Sequence, residues 1–138
     1  MRKLGIDLGQ VRIGLSLSDP LGIIASSLET YKRQNLQTDL NFIAKLVDEN
    51  EVDMIVIGLP INMDGTKGIK CQETYDFCEA LSKIVSVKIE YQDERLTTVS
   101  AQKALIEADI KRKDRRQIVD KVAASIILQN YLDKKRRL

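Results

Sequence analysis

Residues 4–20 read LGIDLGQVRIGLSLSDP. Two stretches of alternating apolar and small or polar residues flank a short break at Gly9–Val11, the pattern of a strand, a tight turn and a second strand. In the first strand Leu4, Ile6 and Leu8 point one way, and Gly5, Asp7 and Gly9 point the other. A carboxylate therefore interrupts the strand with a glycine on either side of it on its own face, leaving room above the sheet for an ion or a phosphate. Burying such a group without a partner is costly. A helix cap or a pairing with Arg12 would be the structural alternatives to a functional role for Asp7.

Outward from this hairpin, the Asp19–Gly22 turn predicts a third strand over 23–30, with Asp19 making local hydrogen bonds. Leu36, Leu40, Ile43, Ala44, Leu46 and Val47 give residues 36–49 a helical period. MIVIGL at 54–59 is a continuous apolar run, suited to a strand buried on both faces. Pro60 ends it and the segment 62–65 forms a loop. A helix is expected over 70–84, an edge strand with one partly polar face over 86–92, and helices over 98–108 and 116–132. Asp114 and Gln117 have capping-box spacing for the last helix. The order β-β-β-α-β-α-β-α-α implies an α/β fold, a mixed five-stranded sheet flanked by helices. No repeat or linker divides residues 1–138, so one domain is expected.

Of the 138 residues, 43% are apolar and 30% charged, which fits a globular chain. There is no histidine, which excludes histidine acid–base catalysis and histidine metal ligation. Cys71 and Cys78 are too few for a disulfide framework and read as packing thiols on one helical face. No apolar run approaches the length of a membrane span and no signal-peptide core opens the chain. A cytoplasmic protein without membrane contact is expected. Charge is unevenly placed: residues 111–138 carry ten Lys or Arg against three Asp, so this stretch is +7 and the remainder −5 within a net +2. Such asymmetry suggests contact with phosphates. Lys111, Arg112, Lys113, Arg115 and Arg116 could cradle a nucleic-acid backbone. The aromatic residues do not interleave with them, so stacked single-strand readout is not indicated.

Two further acids are unusual. Glu94 lies just past the 86–92 strand, with Asp93 beside it; the pattern alone does not decide which of the two turns inward. Asp120 projects within about 20° of Ile127 and Tyr131 and about 40° of Ala124 on a helical wheel, on the apolar side of its helix. A strand acid, a strand-end acid and a helix acid can gather hard oxygen ligands, which suit Mg²⁺ or Mn²⁺ and phosphoryl displacement without histidine. In such a site Arg12 and Arg95 could contact phosphates or form salt bridges, and Asn62 could orient substrate or water.

GIDLGQVRIGLSLSD, VIGLPINMDG, YQDERLTTVSAQKAL and IVDKVAASIILQNYLD together resemble the YqgF or RuvX family. It is also called the Holliday junction resolvase family and the pre-16S rRNA nuclease family. The resemblance covers about residues 3–132. It implies an RNase H-like fold and a metal-dependent endonuclease with Asp7, Glu94 and Asp120 as catalytic acids and ligands of Mg²⁺ or Mn²⁺. That choice favours Glu94 over Asp93. The implied role is trimming the 5′ end of precursor 16S rRNA in ribosome biogenesis, on structured RNA or the small subunit, by a monomer or weak homodimer. The alternatives are a resolvase of branched DNA and a non-catalytic nucleic-acid-binding assembly protein. Gln117 stands where the resolvase family proper carries a fourth acid one turn before its last.

Overall fold

β1 (Arg2–Leu8) and β2 (Arg12–Ser18) form the expected hairpin, with Asp7 opposite Gly14. The computed structural model describes residues 1–95 and 112–136, the side chains of the second segment from 122 onward. β3 (Ala25–Lys32), α1 (Leu36–Glu49), β4 (Val52–Leu59), α2 (Ile69–Ser82), β5 (Lys88–Asp93) and α3 (Arg112–Arg136) follow. The five strands make one sheet in the order β3-β2-β1-β4-β5. β2 pairs antiparallel with β1 and β3, whereas β4 pairs parallel with β1 and β5. The sheet is therefore mixed, and β5 is an edge, as its half-polar sequence predicts.

Alternation along the strands sorts the core into two layers. Leu4, Ile6, Ile55 and Ile57 pack with Ile43 and Leu46 of α1 and Phe77 and Leu81 of α2. Val56 packs on the other face with Ile127, Leu128 and Tyr131 of α3. Each fully buried aliphatic side chain contributes roughly 1.5–3 kcal/mol, so both faces of β4 are strongly committed. Cys71 and Cys78 are free, buried thiols on α2. Asn35 starts α1, its side chain accepting a hydrogen bond from the Thr38 N–H at 2.9 Å.

α3 lies close against β1 because Gly5 has no side chain. A Cβ there would sit 2.2 Å from Ser16 Oγ, 2.8 Å from Leu128 Cβ and 2.9 Å from the Ala124 carbonyl oxygen. In the space left open, the buried Ser16 hydroxyl donates to that carbonyl at 2.7 Å.

Several boundaries differ from the sequence reading. β3 begins at Ala25 rather than 23, because the Asp19 carboxylate takes the N–H groups of Leu21, Ile23 and Ile24 and holds them in the turn. α3 already includes Arg112, so Asp114 and Gln117 lie inside it and do not cap its start; the basic run 112–116 is helical. Nothing in that run, free of Gly and Pro, would break a helix. α1 has the expected bounds, and Leu36, its first residue, is half exposed. The helix expected over 98–108 and Lys111 lie outside the described residues. Among the described residues no helix is long and apolar enough to cross a membrane.

Candidate active site

β1, β4 and β5 run parallel, so their carboxyl ends open on one side of the sheet. Asp7 stands near the end of β1, Pro60 follows β4 and Glu94 follows β5. These ends border a cleft of about 850 Å³ that continues between the β1–β2 turn, the start of α1 and the flank of α2.

Glu94 is aimed by its neighbours. Asp93 accepts the Arg95 N–H at 3.0 Å and the Arg95 guanidinium at 2.7 Å. The hydrogen bonds from Arg95 hold the Asp93 carboxyl below its ordinary range. This clamp occupies Asp93, while the Glu94 N–H reaches the Leu59 carbonyl at 3.3 Å. The Glu94 side chain lies over Gly58, where a Cβ would be 2.5 Å from Glu94 Oε2. Glu94, and not Asp93, lines the cleft with Asp7.

The two acids feel one another. Burial, then the charge of Asp7, then that of Asp93, push the Glu94 carboxyl up to about 7, with Lys70 acting in the opposite direction. Perturbation by burial together with a like charge in a cleft is characteristic of functional carboxylates.

α3 reaches the same place. A Cβ on Gly14 would lie 3.5 Å from Asp7 Cβ and 3.6 Å from Ala124 Cβ, so Ala124 sits beside Asp7. Position 120 is one turn earlier on the same helix, about 6 Å along its axis. The Asp120 side chain is outside the described ones. Among the described residues no group of three or more potential ligands meets.

Of the remaining expected contacts, Arg12, Asn62 and Arg95 do not line the cleft. Arg12 is exposed at the start of β2. Arg95 pairs with Asp93, and its Nη1 would lie 3.7 Å from a Cβ on Gly65. Asn62 is exposed and donates its amide to Thr66 Oγ1 at 2.9 Å within the 62–66 loop. The backbone of Arg112, Lys113, Arg115 and Arg116 forms the first turns of α3.

Sequence reading missed two features. Lys70, in the first turn of α2, lines the cleft beside Asp7 and Glu94. Asp39 of α1 is buried and accepts hydrogen bonds from Gln34 N–H (2.9 Å), Tyr31 Oη (2.9 Å) and Arg33 Nε (3.1 Å). Burial raises its pKa, but these donors outweigh burial and leave it below the ordinary value. Arg33 also donates to the Gly9 carbonyl at 3.0 Å, tying the turn after Asp7 to α1. The available signal was Asp39 four residues before Ile43, on the apolar side of α1.

Known proteins bear on this arrangement. The family described as RuvX: Holliday junction resolvase matches residues 1–134. A Clostridium acetobutylicum protein named "Putative pre-16S rRNA nuclease" is 49% identical over 133 residues, 96% of this chain and 98% of its own. A Clostridium botulinum protein of the same name is 48% identical, covering 96% and 97%. Among solved structures, T. thermophilus RuvC in complex with Holliday junction substrate superposes with a TM-score of 0.63 at 14% identity, over 99% of this chain and 96% of that one. The fowlpox virus Holliday junction resolvase does so with a TM-score of 0.53 at 11% identity, over 97% and 99%. These two likenesses establish the RNase H-like fold. With the match over nearly its whole length, the chain belongs to the RuvX family and is a nuclease.

Proposed function

We propose that the chain is a divalent-metal endonuclease that cleaves structured RNA, trimming the 5′ end of precursor 16S rRNA in the cytoplasm. The observation that carries this reading is the approach of Asp7 and Glu94 at the ends of the parallel strands, close enough for one to raise the pKa of the other. Two carboxylates crowded in a partly buried cleft suit a hard cation, which would relieve their repulsion. Asp7 and Glu94 would hold Mg²⁺ or Mn²⁺, with Asp120 as the third ligand from α3. A cation there supplies a Lewis acid that acidifies water and offsets charge on the departing oxygen.

The chain's own residues do the positioning. The Asp93–Arg95 clamp keeps Glu94 turned inward. Arg33 fixes the turn that follows Asp7. Lys70 offsets negative charge beside Glu94 and can meet a substrate phosphate. Arg12 and the basic residues 111, 112, 113, 115 and 116 would hold the backbone, and Asn62 would stand at the loop beyond β4. One domain, as a monomer or weak homodimer, would suffice.

The name of the nearly full-length relatives supports RNA as substrate. The family's description favours a second reading, cleavage of branched DNA. Precursor 16S rRNA and a four-way DNA junction, incubated side by side with enzyme and Mg²⁺ or Mn²⁺, separate the two. Cleavage of the RNA alone is expected, and cleavage of the junction alone would replace the first reading by the second. Asp7→Asn should abolish cleavage without changing the circular dichroism spectrum. Undiminished cleavage by this variant, in preparations free of contaminating nuclease, would remove Asp7 from the mechanism, whereas no cleavage of either substrate by wild-type protein would leave the non-catalytic assembly role.

A further inference from the structure

The cleft extends well past Asp7 and Glu94, and its far part has the wrong charge for a nucleic-acid backbone. Glu73 and Asp76 of α2 stand on one wall. The charge of Arg33 is already engaged by Asp39 at 3.1 Å and by the Gly9 carbonyl. Among the described lining residues, Lys70 is then the only cation outside an ion pair, and it stands at the Glu94 end. A phosphodiester that entered deeply would face carboxylates without compensation.

The opposite rim is of another kind. Val11, at the tip of the β1–β2 turn, is 58% exposed, and Leu36, at the start of α1, is 50% exposed. Gln10 and Gln34 are exposed beside them. Two apolar side chains flanked by primary amides offer a flat neutral group both a contact surface and hydrogen-bond partners. The volume of about 850 Å³ exceeds what the reacting phosphate alone requires. Apolar side chains that contact unstacked bases are a common device in nucleic-acid recognition.

We propose that this extension is a subsite for one unpaired nucleobase of the substrate, next to the phosphate that is cut. The base lies against Val11 and Leu36 with its polar edge toward Gln10 and Gln34, while Glu73 and Asp76 keep the backbone at the mouth. The inference rests on the nuclease reading and adds a requirement for an extruded nucleotide.

The test uses the whole chain and RNA fragments spanning the cut, each lacking the base at a single nucleotide within two positions of it. One such fragment should be cleaved by wild-type enzyme about ten-fold more slowly, the effect of losing one buried apolar contact. Leu36→Ala should be about ten-fold slower on the intact RNA and show little further loss on that fragment. Equal cleavage of all base-less fragments would overturn the subsite. A second measurement is independent of cleavage. 2-Aminopurine placed at the same nucleotide should change fluorescence on binding in EDTA, and Leu36→Ala or Val11→Ser should remove most of that change. If RNA is not cut yet the fluorescence responds in this way, the subsite stands and the nuclease reading on RNA falls. If the fluorescence does not respond in wild-type protein, the subsite falls whatever the cleavage result.

Discussion

Gly58 of β4 and Glu94 beyond β5 share one volume: a Cβ on Gly58 would stand 2.5 Å from Glu94 Oε2 and 2.6 Å from Ile127 Cδ1. The glycine is what allows a carboxylate from the next strand to lie across the sheet beneath α3. Gly58→Ala must displace the acid, the helix or both. Overpacking of this kind costs about 1–3 kcal/mol. The variant is expected to unfold at lower urea concentration and, on the proposed role of Glu94, to lose at least about ten-fold in cleavage, since small misplacement of a reacting group is expensive. Full activity in Gly58→Ala would mean that the position of Glu94 over Gly58 is unimportant for turnover.

The Glu94 carboxyl, pushed up to about 7 from 4.5, makes stability depend on pH in the metal-free protein. The folded state binds this proton more tightly than the unfolded state. The group's contribution is therefore most favourable below the unfolded value and is lost as pH rises through about 7. Glu94→Gln removes the titration. Its stability relative to wild type should rise between pH 5 and 8 in EDTA, and saturating Mg²⁺ should remove most of this trend by favouring the ionised wild-type carboxylate. Urea melts at the two pH values provide the check. A difference that does not vary with pH would contradict the strained position of Glu94.

Asp39 makes the opposite prediction. Its folded value lies below 3.8, so its contribution is present above the unfolded value and is lost as pH falls through the lower, folded one. Asp39→Ala leaves the Tyr31 hydroxyl, the Gln34 N–H and the Arg33 guanidinium without their acceptor. Breaking a buried pair on one side typically costs about 3–5 kcal/mol. Asp39→Asn keeps an acceptor oxygen and should lose less. The gap between wild type and Asp39→Asn should narrow on acidification below pH 4. Because Arg33 also holds the Gly9 carbonyl, Asp39→Ala should lower kcat in addition to stability. Stability equal to wild type would show that the buried network contributes nothing to the fold.

How far the sequence revealed this site depends on the kind of element. Asp7 was legible because a strand has period two, and the acid fell on the face shared with Gly5. The position of β5 at the sheet edge followed from its half-polar pattern. The direction of Glu94 was not legible, because it depends on the Asp93–Arg95 clamp and on empty space above Gly58, which belongs to a different strand. The extended β3 turn depended on three backbone donors collected by Asp19. Lys70 and Asp39 were hidden for a related reason. Each is a charged residue on an amphipathic helix, and only the tertiary arrangement separates a cleft-lining charge from a solvated one.

The basic stretch at the start of α3 gives a prediction that needs no side-chain geometry. Its residues are helical from Arg112, so Lys113 and Arg116, three apart, share a face. If that face holds a nucleic-acid backbone, Lys113→Glu with Arg116→Glu should weaken binding to all RNA sequences alike. The slope of log affinity against log salt should fall in magnitude by about 1 for each phosphate contact removed. On the proposed reading, dependence of cleavage on Mg²⁺ or Mn²⁺ should remain. Fluorescence anisotropy across a salt series measures the slope. A doubly reversed protein that retained the wild-type slope would move the backbone contact away from this helix and toward other cations such as the exposed Arg12 of β2.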